Sequence, residues 1–422
     1  MTAKRVFSID ELARMICQNL RTPTYRDSGT EWREESQALL HVALCSKIMS
    51  EAALDVLWED SATLGPFLSL LPPTLSKIED ASGVACPPAE SWHTFDKYAG
   101  RVKRLFLRGF CPRRRGFHDD SPAYVKLATV RYREAGVHLF PRLRLLQMKL
   151  FLSGDPFIDS LIPHTVRRLN VELLLLGAAY KGGDQVPLRA LQRISICAPL
   201  LEQLDLKPDY LLAKQAMPVD FPRLSTVYLR VVPGRVGGDI VKSCHLFANS
   251  PIKELVLYTN PIARDFWEDM VPPVFPSLQS FTAHQNPYHS LQLLKKLATK
   301  NLQNFTFSHH RWPATTPHLE QCLELVNYLK DRFSASLRSV RINMSNYGTS
   351  HAADFAPMLL ALNELAFACP TLEEVDVSVP LYQATSVTSM PEEIGRLWRK
   401  SSWPRTLKSL RIIHERDGSA QT

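Results

Sequence analysis

Apolar residues recur along this chain in a short repeating pattern. Each copy is an apolar residue, two free positions, a second apolar residue, one free position and a third apolar residue, as in Leu372, Val375 and Val377. Eleven copies begin at Val102, Leu143, Val166, Leu201, Leu224, Ile252, Leu278, Leu302, Leu337, Leu372 and Leu407. The last two apolar residues of a copy are two positions apart, so they share one face of a β-strand. A recurring period of this kind predicts stacked repeats.

Helical periodicity fills several of the intervals between copies. Apolar residues three and four apart predict helices over about 288–298, 317–333 and 352–368, the second with Thr316 as its N-cap and Pro317 in its first turn. Alternating strands and helices predict an α/β fold, a leucine-rich-repeat-like solenoid over residues 101–413. Its parallel strands are expected on the concave side and its helices on the convex side. Residues 414–422 are polar and are expected to form a frayed tail.

Residues 1–60 do not follow the repeat. Apolar residues at helical spacing predict three short helices, over about 8–20, 39–48 and 50–58. The polar residues 21–36, which include Pro23 and Gly29, are interpreted as a loop. A module this small has a very small core and tends to leave apolar surface for a partner. Residues 61–100 form a Pro-rich connecting segment that is expected to be ordered against the solenoid.

The N-terminal module resembles an F-box, and more narrowly the F-box of the large fungal family with an irregular leucine-rich-repeat-like tail. The residues that carry the resemblance are Phe7-Ser8-Ile9-Asp10-Glu11-Leu12, Ile16, Leu20, Ala43-Leu44-Cys45-Ser46-Lys47, Leu54, Leu57-Trp58 and the following 64–72. Asp10 stands where the family usually has proline, and Met49 where tryptophan is common. The loop at 21–36 is also longer than in the family.

The resemblance implies a substrate-recognition subunit of an SCF-type (Skp1-cullin-F-box) ubiquitin ligase. The N-terminal helices would dock on a Skp1-like adaptor within a cullin complex, and the solenoid would bind an unidentified target protein. The expected docking residues are Ile9, Leu12, Ile16, Leu20, Leu44, Leu57 and Trp58. Some of these must form the core of the module itself. The alternative is a non-catalytic repeat scaffold for protein–protein interaction, with the first helices serving as a cap of the solenoid.

Side chains that alternate with the core positions of each strand are expected to line the concave face. The expected target-binding residues are Arg104, Arg108, Lys149, Arg168, Tyr228, Arg230, Tyr258 and Arg341. Arg and Tyr are common anchors at protein interfaces. Because basic residues outnumber acidic ones on the first half of this face, we hypothesise that it binds an acidic or phosphorylated segment of the target. An ordinary solvated strand face is the alternative for any single residue.

Composition and motifs favour a binding protein rather than an enzyme. The chain has neither a Gly-x-Ser-x-Gly elbow nor a phosphate-binding loop, and the glycines at 234–238 are not followed by Gly-Lys-Ser/Thr. No Cys-x-x-Cys pair is present, and His309-His310 and Arg113-Arg114-Arg115 are interpreted as surface residues, so no metal or cofactor is predicted.

The net charge and the length of the apolar runs limit which partners and which cellular location are expected. The net charge of 50 − 42 = +8 and the pI of about 9.0 are compatible with nucleic acid as a partner. Acidic residues spread through the repeats make that partner the weakest hypothesis. No apolar run is long enough to span a bilayer, and the start lacks a secretion signal. We therefore expect no membrane partner and a cytoplasmic or nuclear location.

Overall fold

The chain folds into two compact units, which are described separately. Unit 1 comprises Met1–Lys181 with Arg189–Leu201, and unit 2 comprises Gly182–Leu188 with Glu202–Thr422. The computed structural model describes residues 9–20, 29–45, 47–71, 90, 92–111, 116–152, 158–175, 186–208, 218–230, 244–258, 274–284, 287–308, 316–344, 356–380 and 409–415. The expectations for 113–115, 234–238, 309–310 and the tail beyond residue 415 lie outside these residues. His414 and Glu415, predicted as part of the frayed tail, instead pair within the last strand.

Unit 1 begins with helices and continues into parallel strands. Its elements are α1 Ile9–Asn19, α2 Gly29–Cys45, α3 Lys47–Glu59, β1 Asp60–Ser61, α4 Gly65–Leu68, α5 Trp92–Ala99, β2 Arg104–Phe106, β3 Arg108–Cys111, β4 Gly116–Asp119, α6 Ser121–Ala135, β5 Leu145–Leu152, α7 Ile158–Leu161 and β6 Arg168–Leu175. The parallel strands pair in the order β1-β2-β5-β6. Helix α8, Val186–Cys197, is divided between the two units.

Unit 2 consists of parallel strands with helices in the later connections. Its elements are β7 Gln203–Pro208, β8 Thr226–Arg230, β9 Glu254–Tyr258, β10 Ser280–His284, α9 Pro287–Lys296, β11 Asn304–Ser308, α10 Thr316–Phe333, β12 Ser339–Asn343, α11 Ala356–Ala368, β13 Glu374–Pro380 and β14 Ser409–Glu415. Each strand pairs in parallel with the next one along the chain. Helix α10 packs against both α9 and α11.

The register of the strands follows the apolar pattern. In unit 2 the second apolar residue of each copy lies opposite its counterpart on the next strand, as Phe281 does with Phe305 and Phe305 with Val340. These residues are completely or almost completely buried, whereas the alternating positions of β8, β10 and β12 are partly or fully exposed. Every copy of the motif thus contributes a strand, and the prediction of an α/β fold with parallel strands and helices is confirmed.

The prediction of a loop over 21–36 is wrong in its second half. Helix α2 begins at Gly29, ten residues before the first apolar residue of the predicted helix, Leu39. The added turns carry Glu31, Arg33 and Glu34, which have a high helix propensity although they supply no apolar periodicity. An apolar pattern detects the buried stripe of a helix, and a lone Trp32 within the added turns does not establish a period.

Arg108 does not lie on a parallel strand as predicted. After β2 the chain leaves the parallel ladder, and β3 pairs antiparallel with β4, with Phe110 opposite Phe117. The backbone closes this hairpin at its base, where the Asp120 N–H donates to the Leu107 carbonyl at 2.8 Å. Four residues separate the paired ends Cys111 and Gly116, which suits a hairpin connection rather than a continued strand.

The third helix of the N-terminal module continues directly into the first strand of unit 1. Helix α3 ends at Glu59, and β1 begins at Asp60 and pairs with β2. Arg101, which follows α5, donates hydrogen bonds to the carboxylates of Glu51 and Asp55 on α3. In the described part of the chain, no helix is long and apolar enough to cross a membrane.

Candidate functional site

The first surface of interest lies on α1, which buries small side chains and exposes large ones. Ala13 and Cys17 belong to the core of the helical module, with Leu39 of α2 and Ala52, Ala53 and Val56 of α3. Small residues on both α1 and α3 let the two helices pack closely. The larger Leu12 and Ile16 of the same helix are 50% and 46% exposed, and Leu20, directly after the helix, is 40% exposed.

These exposed residues form one stripe along α1. Leu12, Ile16 and Leu20 are spaced by four, and Met15, which is also exposed, lies three positions after Leu12. Helix α2 carries a second exposed pair at the same spacing, Leu40 and Leu44. Exposed apolar side chains grouped in this way are typical of protein–protein interfaces, whereas single ones are ordinary. The described N-terminal helices therefore present two apolar stripes to solvent.

The structure divides the predicted docking residues into a free and a packed group. Leu12, Ile16, Leu20 and Leu44 are exposed, and Leu44, at 76%, is the most exposed of them. Leu57 packs against the core of the module instead. The side chain of Ile9 lies outside the described residues.

Trp58 belongs to the packed group. Its ring lies 4.9 Å from the ring of Phe67 and 4.8 Å from that of Tyr98, measured between centroids. These contacts join α3 to α4 and α5, so Trp58 holds the helical module to the rest of unit 1. Met15 and Leu40 were absent from the sequence-based prediction, although the spacing from Leu12 to Met15 is a signal that could have found Met15.

The second surface is the polar face of the strands, where most predicted target-binding cations already have partners. In unit 1 the Arg104 guanidinium pairs with the Asp60 carboxylate on the neighbouring strand. The Lys149 ammonium lies 3.1 Å from the Asp119 carboxylate. Burial would raise the pKa of Asp119, but hydrogen bonds from Ser121 and Lys149 outweigh it and hold that pKa below its ordinary value. Arg168 is exposed, and no ion pair of its side chain occurs among the described residues.

In unit 2 the predicted residues meet in a stack of planar groups on β8, β9 and β10. The Arg230 guanidinium donates two hydrogen bonds to the Asp205 carboxylate, at 3.0 and 2.9 Å. Its carbon centre lies 4.8 Å from the centroid of the Tyr258 ring. The Tyr258 ring stacks on His284 at 4.2 Å with an angle of 3° between the planes. Arg230 and Tyr258 are opposite each other in the strand register, as are Tyr258 and His284.

Of the other predicted residues, Tyr228 lies on β8, two positions before Arg230, and Arg341 lies on β12. Burial raises the pKa of the Tyr228 hydroxyl, and the nearby Glu254 carboxylate raises it further. The Arg341 guanidinium pairs with the Glu374 carboxylate of β13 at 2.9 Å, with Arg341 exposed and Glu374 partly exposed. The polar face of unit 2 thus combines aromatic rings with ion pairs between strands, an arrangement suited to contacts with a protein surface.

Two observations concern reactive and metal-binding groups among the described residues. Burial raises the pKa of the Cys197 thiol to about 12, and its hydrogen bond to Asp159 acts in the same direction, which leaves it a poor nucleophile. Within the ranges that the structure describes, no group of three or more His, Cys, Asp or Glu side chains could hold a metal ion.

The fold and the two surfaces together define the class of protein. It is an α/β protein of repeated parallel strands with an N-terminal helical module that exposes apolar side chains. No known family model matches the chain, and no curated protein matches its sequence.

Proposed function

We propose that this protein is the substrate-recognition subunit of an SCF-type ubiquitin ligase. The single observation that carries the proposal is the exposed stripe of Leu12, Ile16 and Leu20 on a helix that buries alanine and cysteine. A helix of this kind has a second apolar face that requires a partner, and the resemblance to an F-box makes a Skp1-like adaptor that partner. The leucine-rich-repeat-like solenoid would supply the target-binding part.

The receptor would carry out no chemistry. It would hold the target near the ubiquitin carrier of a cullin complex and so raise the effective concentration of target lysines. The polar face of the strands, with Tyr228, Arg230, Tyr258 and Arg341, is the surface proposed for target contact. The direct continuation of α3 into β1 supports a fixed placement of the module against the first strands of unit 1.

The test is co-purification of the full chain with a recombinant Skp1-type adaptor. The variant Leu12→Asp with Leu44→Asp places two charges in the exposed stripes and should weaken the complex by about 100-fold or more, because buried leucines at an interface each contribute a kcal/mol or more. Leu57 is left intact because it packs in the core of the module, where an aspartate would unfold it.

The matched control places the same charges elsewhere. Ile196 on α8 and Leu360 on α11 are 71% and 41% exposed, so Ile196→Asp with Leu360→Asp changes charge and surface apolarity to a similar extent outside the module. The control should bind the adaptor like the unmodified chain. Equal loss in both variants, or no complex with the folded wild-type chain, would refute the proposal.

A non-catalytic repeat scaffold is the second candidate, and one observation favours it. Trp58 packs on Phe67 and Tyr98, and β1 extends the parallel strands of unit 1, so the helical module also covers the end of the repeat. Solenoids require such terminal caps. A folded protein that binds no adaptor, yet loses stability when α1 is deleted, would support this second function.

A further inference from the structure

Three exposed arginines of unit 1 lie close together, two just before β5 and one at the start of β6. Arg142, Arg144 and Arg168 are exposed, and their guanidinium groups form no ion pair or hydrogen bond in the part of the chain that the structure describes. This distinguishes them from Arg104 and Lys149, which Asp60 and Asp119 neutralise. A free guanidinium retains its full capacity to bind a carboxylate through two parallel hydrogen bonds.

The backbone brings these three residues together. The Arg144 carbonyl accepts hydrogen bonds from the backbone N–H groups of Arg167 and Arg168, at 2.8 and 2.9 Å. Leu145, which follows Arg144, lies opposite Arg168 in the strand register. The Arg144 and Arg168 side chains therefore start about one strand spacing apart, a distance that their length easily bridges, and Arg142 lies two residues before Arg144.

We propose that Arg142, Arg144 and Arg168, called here the arginine patch, bind an acidic segment of the target protein. The proposal rests on the proposed function as a target receptor and assigns the chemistry of the target. It also moves the expected acidic contact from the paired cations of the strand face to the edge where the strands begin. The complementary partner is a run of Asp or Glu side chains in an extended segment.

The charges around the patch favour a protein segment over a nucleic acid. On one side, Lys103 lies 3.4 Å from Glu59, and Arg104 pairs with Asp60. Toward the other end of β5, Lys149 pairs with Asp119. Among the described residues of these strands, the neighbouring cations Lys103, Arg104 and Lys149 are therefore paired, and the free charge of the patch is not continued along them as the basic stripe that follows a phosphate backbone.

The experiment measures binding of fluorescein-labelled octaglutamate to the full chain by fluorescence anisotropy at low ionic strength. The variant Arg144→Ala with Arg168→Ala should weaken binding by about tenfold, because two exposed charge contacts are lost. Added salt should weaken binding by the unmodified chain. No octaglutamate binding by the folded wild-type chain, or equal binding by the variant, would overturn the proposal.

A control removes the same charge from equivalent turns of unit 2. Lys253 and Arg338 are exposed and directly precede β9 and β12, as Arg144 precedes β5. Lys253→Ala with Arg338→Ala should leave octaglutamate binding unchanged. A loss equal to that of the patch variant would show that binding depends only on net charge and would contradict a specific patch. A labelled single-stranded oligonucleotide tests the other partner. If Arg144 and Arg168 mattered for the oligonucleotide and not for the peptide, the acidic-protein proposal would be wrong.

The adaptor takes no part in this binding measurement. Failure of octaglutamate binding therefore leaves the co-purification result intact. Conversely, a failure to bind the adaptor would refute the proposed role in a ubiquitin ligase. Binding of acidic peptide by the arginine patch could still be demonstrated in that case.

Discussion

At the scale of single residues, the polar strand face of unit 2 is organised around a carboxylate that is almost fully buried. The Asp205 side chain is 9% exposed and accepts hydrogen bonds from Nε and Nη2 of Arg230, which is itself 39% exposed. Arg230 also lies over Tyr258. A charge removed from water to this extent depends on its partner, whereas an exposed ion pair such as Arg341 with Glu374 contributes little.

The first prediction concerns Arg230. Arg230→Ala leaves the Asp205 carboxylate buried without its cation and removes the contact with Tyr258, so it should lower the free energy of unfolding by about 2 kcal/mol. The matched variant Arg341→Ala breaks an exposed pair on the same face and should cost less than about 1 kcal/mol. Urea denaturation measures both. Equal losses would show that burial of Asp205 has no energetic consequence.

The second prediction is a pH dependence at Asp119. The pKa of this carboxyl is lowered in the folded protein, so its ionised form stabilises the fold above the unfolded pKa of about 3.9 and that stabilisation is lost as the pH falls through the lower folded value. Asp119→Asn should therefore be less stable than the unmodified protein at neutral pH, and the difference should shrink below about pH 4. Thermal unfolding over a pH series measures this, and a constant difference would contradict it.

At the scale of elements, α1 shows that an amphipathic helix can pack against a neighbouring helix, α3, and still leave part of its apolar side exposed. The apolar side of α1 is wide enough to contact α3 through Ala13 and Cys17 and to leave Leu12 and Ile16 exposed. The sequence predicted α1 and α3 from their spacing, and both exist. Periodicity records that a side chain is apolar, but it does not record which part of the apolar side faces a neighbouring helix.

The third prediction separates the packed from the exposed residues of the module. Trp58→Ala removes ring contacts with Phe67 and Tyr98 and should lower the free energy of unfolding by about 3 kcal/mol. Leu44→Ala should change it by less than about 0.5 kcal/mol, because this side chain is 76% exposed, while weakening adaptor binding. Chemical denaturation and co-purification measure the two effects. A destabilised Leu44→Ala protein would mean that Leu44 is part of the core.

At the scale of the whole molecule, stability is distributed over neighbouring repeats. Phe305 lies between Phe281 and Val340 in the strand register, and its ring centroid is 5.9 Å from that of Phe281. All three residues are fully buried. Because each repeat is stabilised mainly by the repeats beside it, a cavity at one position should weaken its neighbours most.

The fourth prediction tests this local coupling. Phe305→Ala should destabilise the protein by about 4 kcal/mol and reduce the hydrogen-exchange protection of amides in β10, β11 and β12. Amides of α1 and α3, which belong to unit 1, should keep their protection. Hydrogen–deuterium exchange with mass spectrometry distinguishes the two regions. Uniform loss of protection throughout the chain would show a single cooperative unit instead.

The sequence predicted the strand positions well because the cause of the pattern is local. A strand buried on one face places Val340 and Ile342 inward at a period of two. The same alternation recurs in each neighbouring strand, because that strand is also buried on one face. The hairpin of β3 and β4 was missed because Arg108 continues the alternation of β2. No local signal marks the residue at which a chain leaves a ladder.

The sequence by itself determined the α/β repeat, the apolar helices at the N-terminus and the face of each strand that is buried, because these depend on side-chain periodicity. The tertiary structure alone decided which side chains remain free. It gave Arg104, Lys149 and Arg230 carboxylate partners on other segments and, among the residues that the structure describes, left Arg144 and Arg168 without one. Partners of this kind are distant along the chain and are brought together only by strand pairing and by the packing of separate segments, which no single stretch of sequence specifies.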